Sequence, residues 1–364
     1  MDKNKRLTVW LPVIIAASIA LGIFIGNHYL SISQGKKRSY SSGNKINAIL
    51  DIIDEQYVDT VSMSKLVEST IPKIFSELDP HSVYIPAEDA SVVNEELEGS
   101  FSGIGVSFNM QTDTILVISV ISGGPAEKAG LLPFDRIISI NDSIFSGKKK
   151  NQGEIMKTLR GAKNSTVKLG VQRGNSPELL YFDVTRGDVP VNSVDVSYEA
   201  AKGIGYIKVS KFARNTYNEF ITAIAKLKQA GCTSFVIDLR GNTGGYMDAA
   251  INMINEFMPE GRLIVYTEGK SFPRSDVYAN GTGTCKDAPI VVLTDEISAS
   301  ASEIFSGAIQ DNDRGTIIGR RTYGKGLVQT QMSLSDGSEM RLTIARYYTP
   351  SGRCIQKKYE MGNT

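Results

Sequence analysis

Ile290-Val291-Val292-Leu293-Thr294-Asp295-Glu296-Ile297-Ser298-Ala299-Ser300-Ala301-Ser302-Glu303-Ile304-Phe305-Ser306-Gly307-Ala308-Ile309 is the stretch whose reading decides the fold. Its opening apolar run has the length of a buried strand. Ile304, Phe305, Ala308 and Ile309 then recur at helix spacing. Ser298, Ser300 and Ser302 therefore fall where a strand turns into a helix. Such a turn lifts a hydroxyl clear of the sheet. The first helix N–H groups lack intrahelical partners and can face a developing oxyanion.

A serine hydroxyl is a weak nucleophile without a base. Only two histidines are present, His28 beside the N-terminal apolar run and His81 far upstream, and nothing in the sequence brings either to the serines. Lys325 is the better candidate. It stands between Gly324 and Gly326, with apolar runs at 316–318 and at Leu327-Val328. A lysine held in an apolar pocket loses solvation of its charged form, so its pKa falls toward neutrality. Taken alone, the same residues also read as a solvated turn lysine and a flexible serine linker.

Ser-Ala-Ser-Ala-Ser-Glu-Ile at 298–304 followed by Thr-Tyr-Gly-Lys-Gly-Leu-Val-Gln at 322–329 closely resembles the carboxy-terminal processing proteases, a family of Ser-Lys peptidases. The resemblance implies Ser300 as nucleophile, Lys325 as general base and Gln329 as the residue that orients the lysine. It extends over roughly residues 46–356.

Outward from this stretch, strands alternate with helices. A strand is expected at 203–209, an amphipathic helix at 215–229 with Phe220, Ile224 and Leu227 on one face, a buried strand at 234–240 and a helix at 246–257. Further strands are expected at 263–267 and 290–293, which together give an α/β domain with its site at strand ends. The strand at 234–240 ends in Gly241-Asn242-Thr243-Gly244-Gly245. This loop has neither a P-loop lysine nor a Gly-x-Gly-x-x-Gly pattern, so it does not read as a nucleotide site. In the resembled family, Asp-Leu-Arg-x-Asn-x-Gly-Gly supplies an oxyanion-hole N–H. That role falls on Gly244, with Gly245 the close alternative, and Ala301 supplies the second donor. Asp311 reads as structural, because a nearby carboxylate would raise the pKa of a lysine base.

Residues 99–186 look like a PDZ domain. The specific elements are Pro125-Ala126-Glu127-Lys128-Ala129-Gly130-Leu131 and Asp135-Arg136-Ile137. The resemblance makes Gly103, Ile104 and Gly105 the loop that receives a C-terminal carboxylate while the peptide adds as a strand. Lys148, Lys149 and Lys150 read as a solvated loop.

Nearer the N-terminus, Ile46, Leu50, Ile53 and Tyr57, and then Leu66, Ile71, Ile74 and Phe75, recur at helix spacing and predict two helices, with Pro72 as a possible kink. Lys3, Lys5 and Arg6 precede an uncharged run at 7–26, about the length needed to cross a bilayer. The positive flank orients an uncleaved anchor with the remainder exported, in a bacterium to the periplasm or outer face. A cleaved signal peptide is the alternative. The formal net charge of +1 gives no reason to expect nucleic acid. Cys232, Cys285 and Cys354 show no metal spacing, and no metal or cofactor is implied.

The resulting expectation is an α/β multidomain chain: an anchor or signal at 1–30, a tether and helical segment at 31–98, a PDZ domain at 99–186 and a ClpP/crotonase-like serine peptidase domain at 187–364. The resemblance implies a Ser-Lys endopeptidase that cleaves exported proteins near apolar C-termini. The competing class is a catalytically inactive PDZ peptide-binding scaffold at the membrane.

Overall fold

The computed structural model describes residues 16–19, 42–111, 114–145 and 152–359. Most of the apolar run at 7–26, the start of the tether and Lys148 to Lys150 lie outside the described residues. The expected anchor is therefore not among them. Among the described residues no helix is long and apolar enough to cross a membrane. The chain divides into two compact units, Met1–Thr70 and Ile71–Thr364.

The first unit holds α1 (Ser42–Gln56) and the start of α2 (Met63–Ser76), at the two places where apolar residues recur at helix spacing. Pro72 lies inside α2, in the part that belongs to the second unit.

The second unit continues with β1 (Val83–Ile85) and α3 (Ala87–Glu98), then with β2 (Ser100–Gly103), β3 (Val106–Gln111), β4 (Thr114–Val120), α4 (Pro125–Ala129), β5 (Arg136–Ile140), β6 (Ser143–Ile144), α5 (Gln152–Leu159), β7 (Thr166–Gln172), β8 (Leu180–Thr185) and β9 (Gly187–Pro190). Strands β3-β4-β5-β7-β8 form an antiparallel sheet, with β6 against β5. Alternate residues of its strands fill a small core of Ile115, Val117, Ile137, Val167, Leu169 and Val171. β2 pairs with β9 in a separate ribbon that joins the entry of this module to its exit.

Next come β10 (Val194–Ala201), β11 (Ile204–Val209), α6 (Thr216–Gln229), β12 (Ser234–Asp238), α7 (Met247–Asn255), β13 (Leu263–Glu268), β14 (Ser275–Tyr278), β15 (Ile290–Thr294), α8 (Ala301–Asp311), β16 (Thr316–Gly319), β17 (Leu327–Ser333) and β18 (Glu339–Tyr348). One sheet has the order β10-β11-β12-β15-β16, with β11, β12, β15 and β16 parallel. Buried runs such as Phe235 and Ile237, or Ile290 and Val292, suit a parallel sheet covered by helices. Because these strands run the same way, the loops after β12 and β15 emerge at one edge.

The expectation that residues 263–267 belong to this sheet is corrected. β12 pairs directly with β15, so no slot is left, and β13 instead pairs with β14 and β18 in a second, antiparallel sheet. β1 and β17 also pair with β18. Helix α8 packs against β16 of the first sheet and β13 of the second, and its residues 301–309 are all buried.

Candidate active site

Two loops at the carboxyl edge of the parallel sheet hold the serine cluster. Asp295, at the end of β15, accepts hydrogen bonds from Gly241 N–H (3.0 Å) and from Ile297 and Ser298 N–H (3.1 and 3.0 Å), so one carboxylate ties both loops. Burial would raise this carboxyl, but those donors hold it below its usual range. Asn242, fully buried, gives Nδ2 to Val209 O (3.0 Å) and accepts Ala299 N–H on its carbonyl (3.0 Å).

The three serines differ in what their hydroxyls do. Ser298 Oγ donates to Leu239 O (2.8 Å) and Ser302 Oγ to Asn242 O (2.9 Å), both fully buried. Ser300 alone is partly exposed. It is the N-cap of α8, with φ 54° and ψ −113°. A residue with a side chain rarely adopts a positive φ, and such strain typically costs about 1–3 kcal/mol, persisting where the surroundings over-determine it. The strand-to-helix turn thus presents one hydroxyl and withholds two.

Gly244 packs directly on this turn. A Cβ there would come within 2.8 Å of Ser300 Cβ and 3.0 Å of Ala301 N. Its own N–H, however, donates to Asn242 Oδ1 (2.8 Å). The expected Gly244 donor is thus engaged within its own loop in this structure. Among the described residues the N–H groups of Gly245 and Ala301 have no hydrogen-bond partner. Gly245 (φ 139°) cannot carry a side chain, since a Cβ would fall 2.0 Å from Phe212 O.

Lys325 lies on the loop between β16 and β17, and its Nζ donates to Gln329 Oε1 (2.9 Å). Burial lowers its pKa, and the charge of Arg341 lowers it further, against an opposing pull from Asp79. Gln329 Nε2 donates in turn to the His81 carbonyl. His81 thus enters the site through its backbone. Its turn is set by Asp79, which accepts His81 N–H, Ser82 N–H (2.9 Å each) and Ser82 Oγ (2.6 Å). The contact of this turn with Gln329 joins residues far apart in the chain and has no mark in the sequence. Among the described residues no hydrogen bond joins Lys325 Nζ to Ser300 Oγ. Catalytic hydrogen bonds often tighten only when substrate binds. Asp311 accepts from Ser351 and Arg353, so it braces the turn after β18.

In the smaller module, Ile104 and Gly105 line a cavity of about 230 Å³ with Val106, Met156, Leu159 and Arg160. Gly103 does not line it. It pairs with Gly187 in the β2–β9 ribbon, so of the three expected loop residues Ile104 and Gly105 face the cavity.

Residues 203–362 match the model of peptidase family S41, and residues 102–195 match a PDZ domain. The carboxy-terminal processing protease CtpB of Bacillus subtilis (strain 168) is 35% identical over 86% of this chain and 66% of its own length. A probable CtpA-like serine protease of Staphylococcus aureus (strain N315) is 33% identical over 98% of this chain and 72% of its own length. Among solved structures, a photosystem II D1 C-terminal processing protease aligns over 87% of this chain and 91% of that chain, with 28% identity and a TM-score of 0.49.

Proposed function

Because the chain belongs to the carboxy-terminal processing proteases of peptidase family S41, we propose that it is a Ser-Lys endopeptidase that cuts exported proteins near their C-termini. The observation that carries this reading is the sorting of the three serines. Ser298 and Ser302 are buried and committed to carbonyls, whereas Ser300 stands partly exposed on a strained turn.

The mechanism runs as follows. Burial favours the neutral form of Lys325, which turns from Gln329 to take the Ser300 proton as Ser300 Oγ attacks the peptide carbonyl. The free N–H groups of Gly245 and Ala301 receive the oxyanion. The lysine gives its proton to the leaving amine, and water releases the acyl group. The cavity beside Ile104 and Gly105 takes the apolar C-terminal residue of the substrate, with its carboxylate on the free loop N–H groups. The uncharged run at 7–26 after Lys3, Lys5 and Arg6 supports export on a membrane anchor.

The test uses soluble protein lacking that run, incubated with an unfolded protein ending in small apolar residues, with fragments followed by mass spectrometry. Wild type is expected to cleave near the C-terminus, and Ser300→Ala and Lys325→Ala to lose at least ~10³-fold in rate. Full cleavage by Lys325→Ala would remove the lysine from the mechanism. A wild type that binds the tail without cutting it would favour the scaffold.

A further inference from the structure

The backbones of Ser300 and Lys325 come from different loops, yet two side chains hold both. Oε2 of Glu303 accepts the N–H of Ser300 (2.9 Å) and the N–H of Lys325 (2.8 Å). Its Oε1 accepts Gly324 N–H (2.7 Å). On the carbonyl side, Tyr347 Oη lies 3.1 Å from Ser300 O and donates to Lys325 O. Glu303 is 1% exposed and Tyr347 2% exposed. Glu303 stands on the first turn of α8, and Tyr347 on β18 of the antiparallel sheet, anchored by its own N–H to Gly326 O (3.0 Å).

We propose that Glu303 and Tyr347 form a two-sided clasp that sets the separation of Ser300 and Lys325, Glu303 accepting both amides and Tyr347 standing between both carbonyls with its single proton given to one at a time. The proposal rests on the Ser-Lys reading for its catalytic meaning. Glu303 and Tyr347 are positioning residues, since neither reaches the reacting atoms.

Three features make the clasp more than local satisfaction of polar groups. A single carboxylate oxygen shared by two amides couples their positions, because neither N–H can move without lengthening its bond. The phenol is a donor throughout the working range, because burial and the nearby Glu303 push its pKa well above the ordinary value. The clasp also supplies what the strained turn requires. The Ser300 conformation is held from its N–H by the Glu303 carboxylate and from its carbonyl by the N–H groups of Glu303 and Ile304 (2.8 and 3.0 Å), with Tyr347 Oη 3.1 Å from the same oxygen.

The test uses two isosteric variants, Glu303→Gln and Tyr347→Phe, alongside wild type. Competitive acetylation across pH, read at the Lys325 peptide by mass spectrometry, gives the midpoint of that lysine whether or not the protein cleaves anything. Arg341, Asp79 and His81 face the lysine and are unchanged in both variants. A loosened loop admits water, so the midpoint is expected to rise by ~0.5 pH unit or more in Tyr347→Phe, which leaves every charge in place; Glu303→Gln also removes a carboxylate, which pulls the midpoint down, so that variant is read by cleavage. Cleavage per folded molecule is expected to fall by about tenfold to a hundredfold. A Tyr347→Phe midpoint equal to wild type would overturn the clasp, whatever happens to its melting temperature. A wild type that cleaves nothing would overturn the peptidase reading instead, and the labelling midpoints would still decide the clasp.

Discussion

The two sides of the site are built differently. Ser300 stands on a turn braced by Asp295, Asn242 and Gly244, ahead of a helix whose residues 301–309 are all buried. Lys325 comes from a loop without regular structure that crosses from the parallel sheet to the antiparallel one. Its hydrogen-bond partner Gln329 is held by the turn at His81. The proposed nucleophile is therefore braced mainly by loops of the parallel sheet, and the proposed base sits on the crossing to the antiparallel one. In the proposed mechanism the attacking atom needs a set trajectory, while the lysine amine must move between Gln329, the serine proton and the leaving amine.

Lys325→Met would break this contrast most strongly, because it removes the base while keeping the length of the side chain. Peptidase activity is expected to vanish. The fold is expected to gain stability at neutral pH, and the sign follows from the lowered pKa. The unfolded chain binds a proton on Lys325 more tightly than the folded one, so the wild-type lysine costs stability below its folded pKa. That cost fades as pH rises toward the ordinary lysine value. Denaturant melts of both proteins at pH 7 and pH 10.5 check this: the gap between them should shrink at the higher pH.

Ser300→Gly probes the other side. Glycine adopts positive φ without the Cβ penalty, so this variant should be more stable than Ser300→Ala by about 1 kcal/mol. Urea melts measure the difference. Equal stabilities would mean that the turn carries no strain worth relieving, and the comparison between a strained serine side and a loop-borne lysine side would lose its first term.

Much of this organisation was legible in the residues. The serine cluster, Lys325 and Gln329 follow each other within one short region, and the helix periodicity around Phe220, Ile224 and Leu227 gave α6 nearly to its ends. What escaped was long-range. The strand at Leu263–Glu268 carries no mark of which sheet it will join, because pairing depends on an edge offered by β18, far along the chain. The helix Ala87–Glu98 has few apolar residues and no clear stripe; only Pro86 before it and Gly99 after it punctuate it. Gly244 could not be told from Gly245 as a donor, since the difference lies in the reach of the Asn242 side chain. Glu303 stood within the serine motif with no assigned task, and nothing in the sequence singled out Tyr347. Both act through backbone atoms of distant residues.

The central claim is that Lys325 activates Ser300, and the most direct measurement is covalent labelling by a fluorophosphonate probe with the adduct mapped by mass spectrometry. One adduct on Ser300 is expected in wild type, forming faster as pH rises through the lowered lysine pKa, and nearly none in Lys325→Ala. An adduct on Ser300 that forms equally fast in Lys325→Ala, or one that maps to Ser298 or Ser302, would contradict the account.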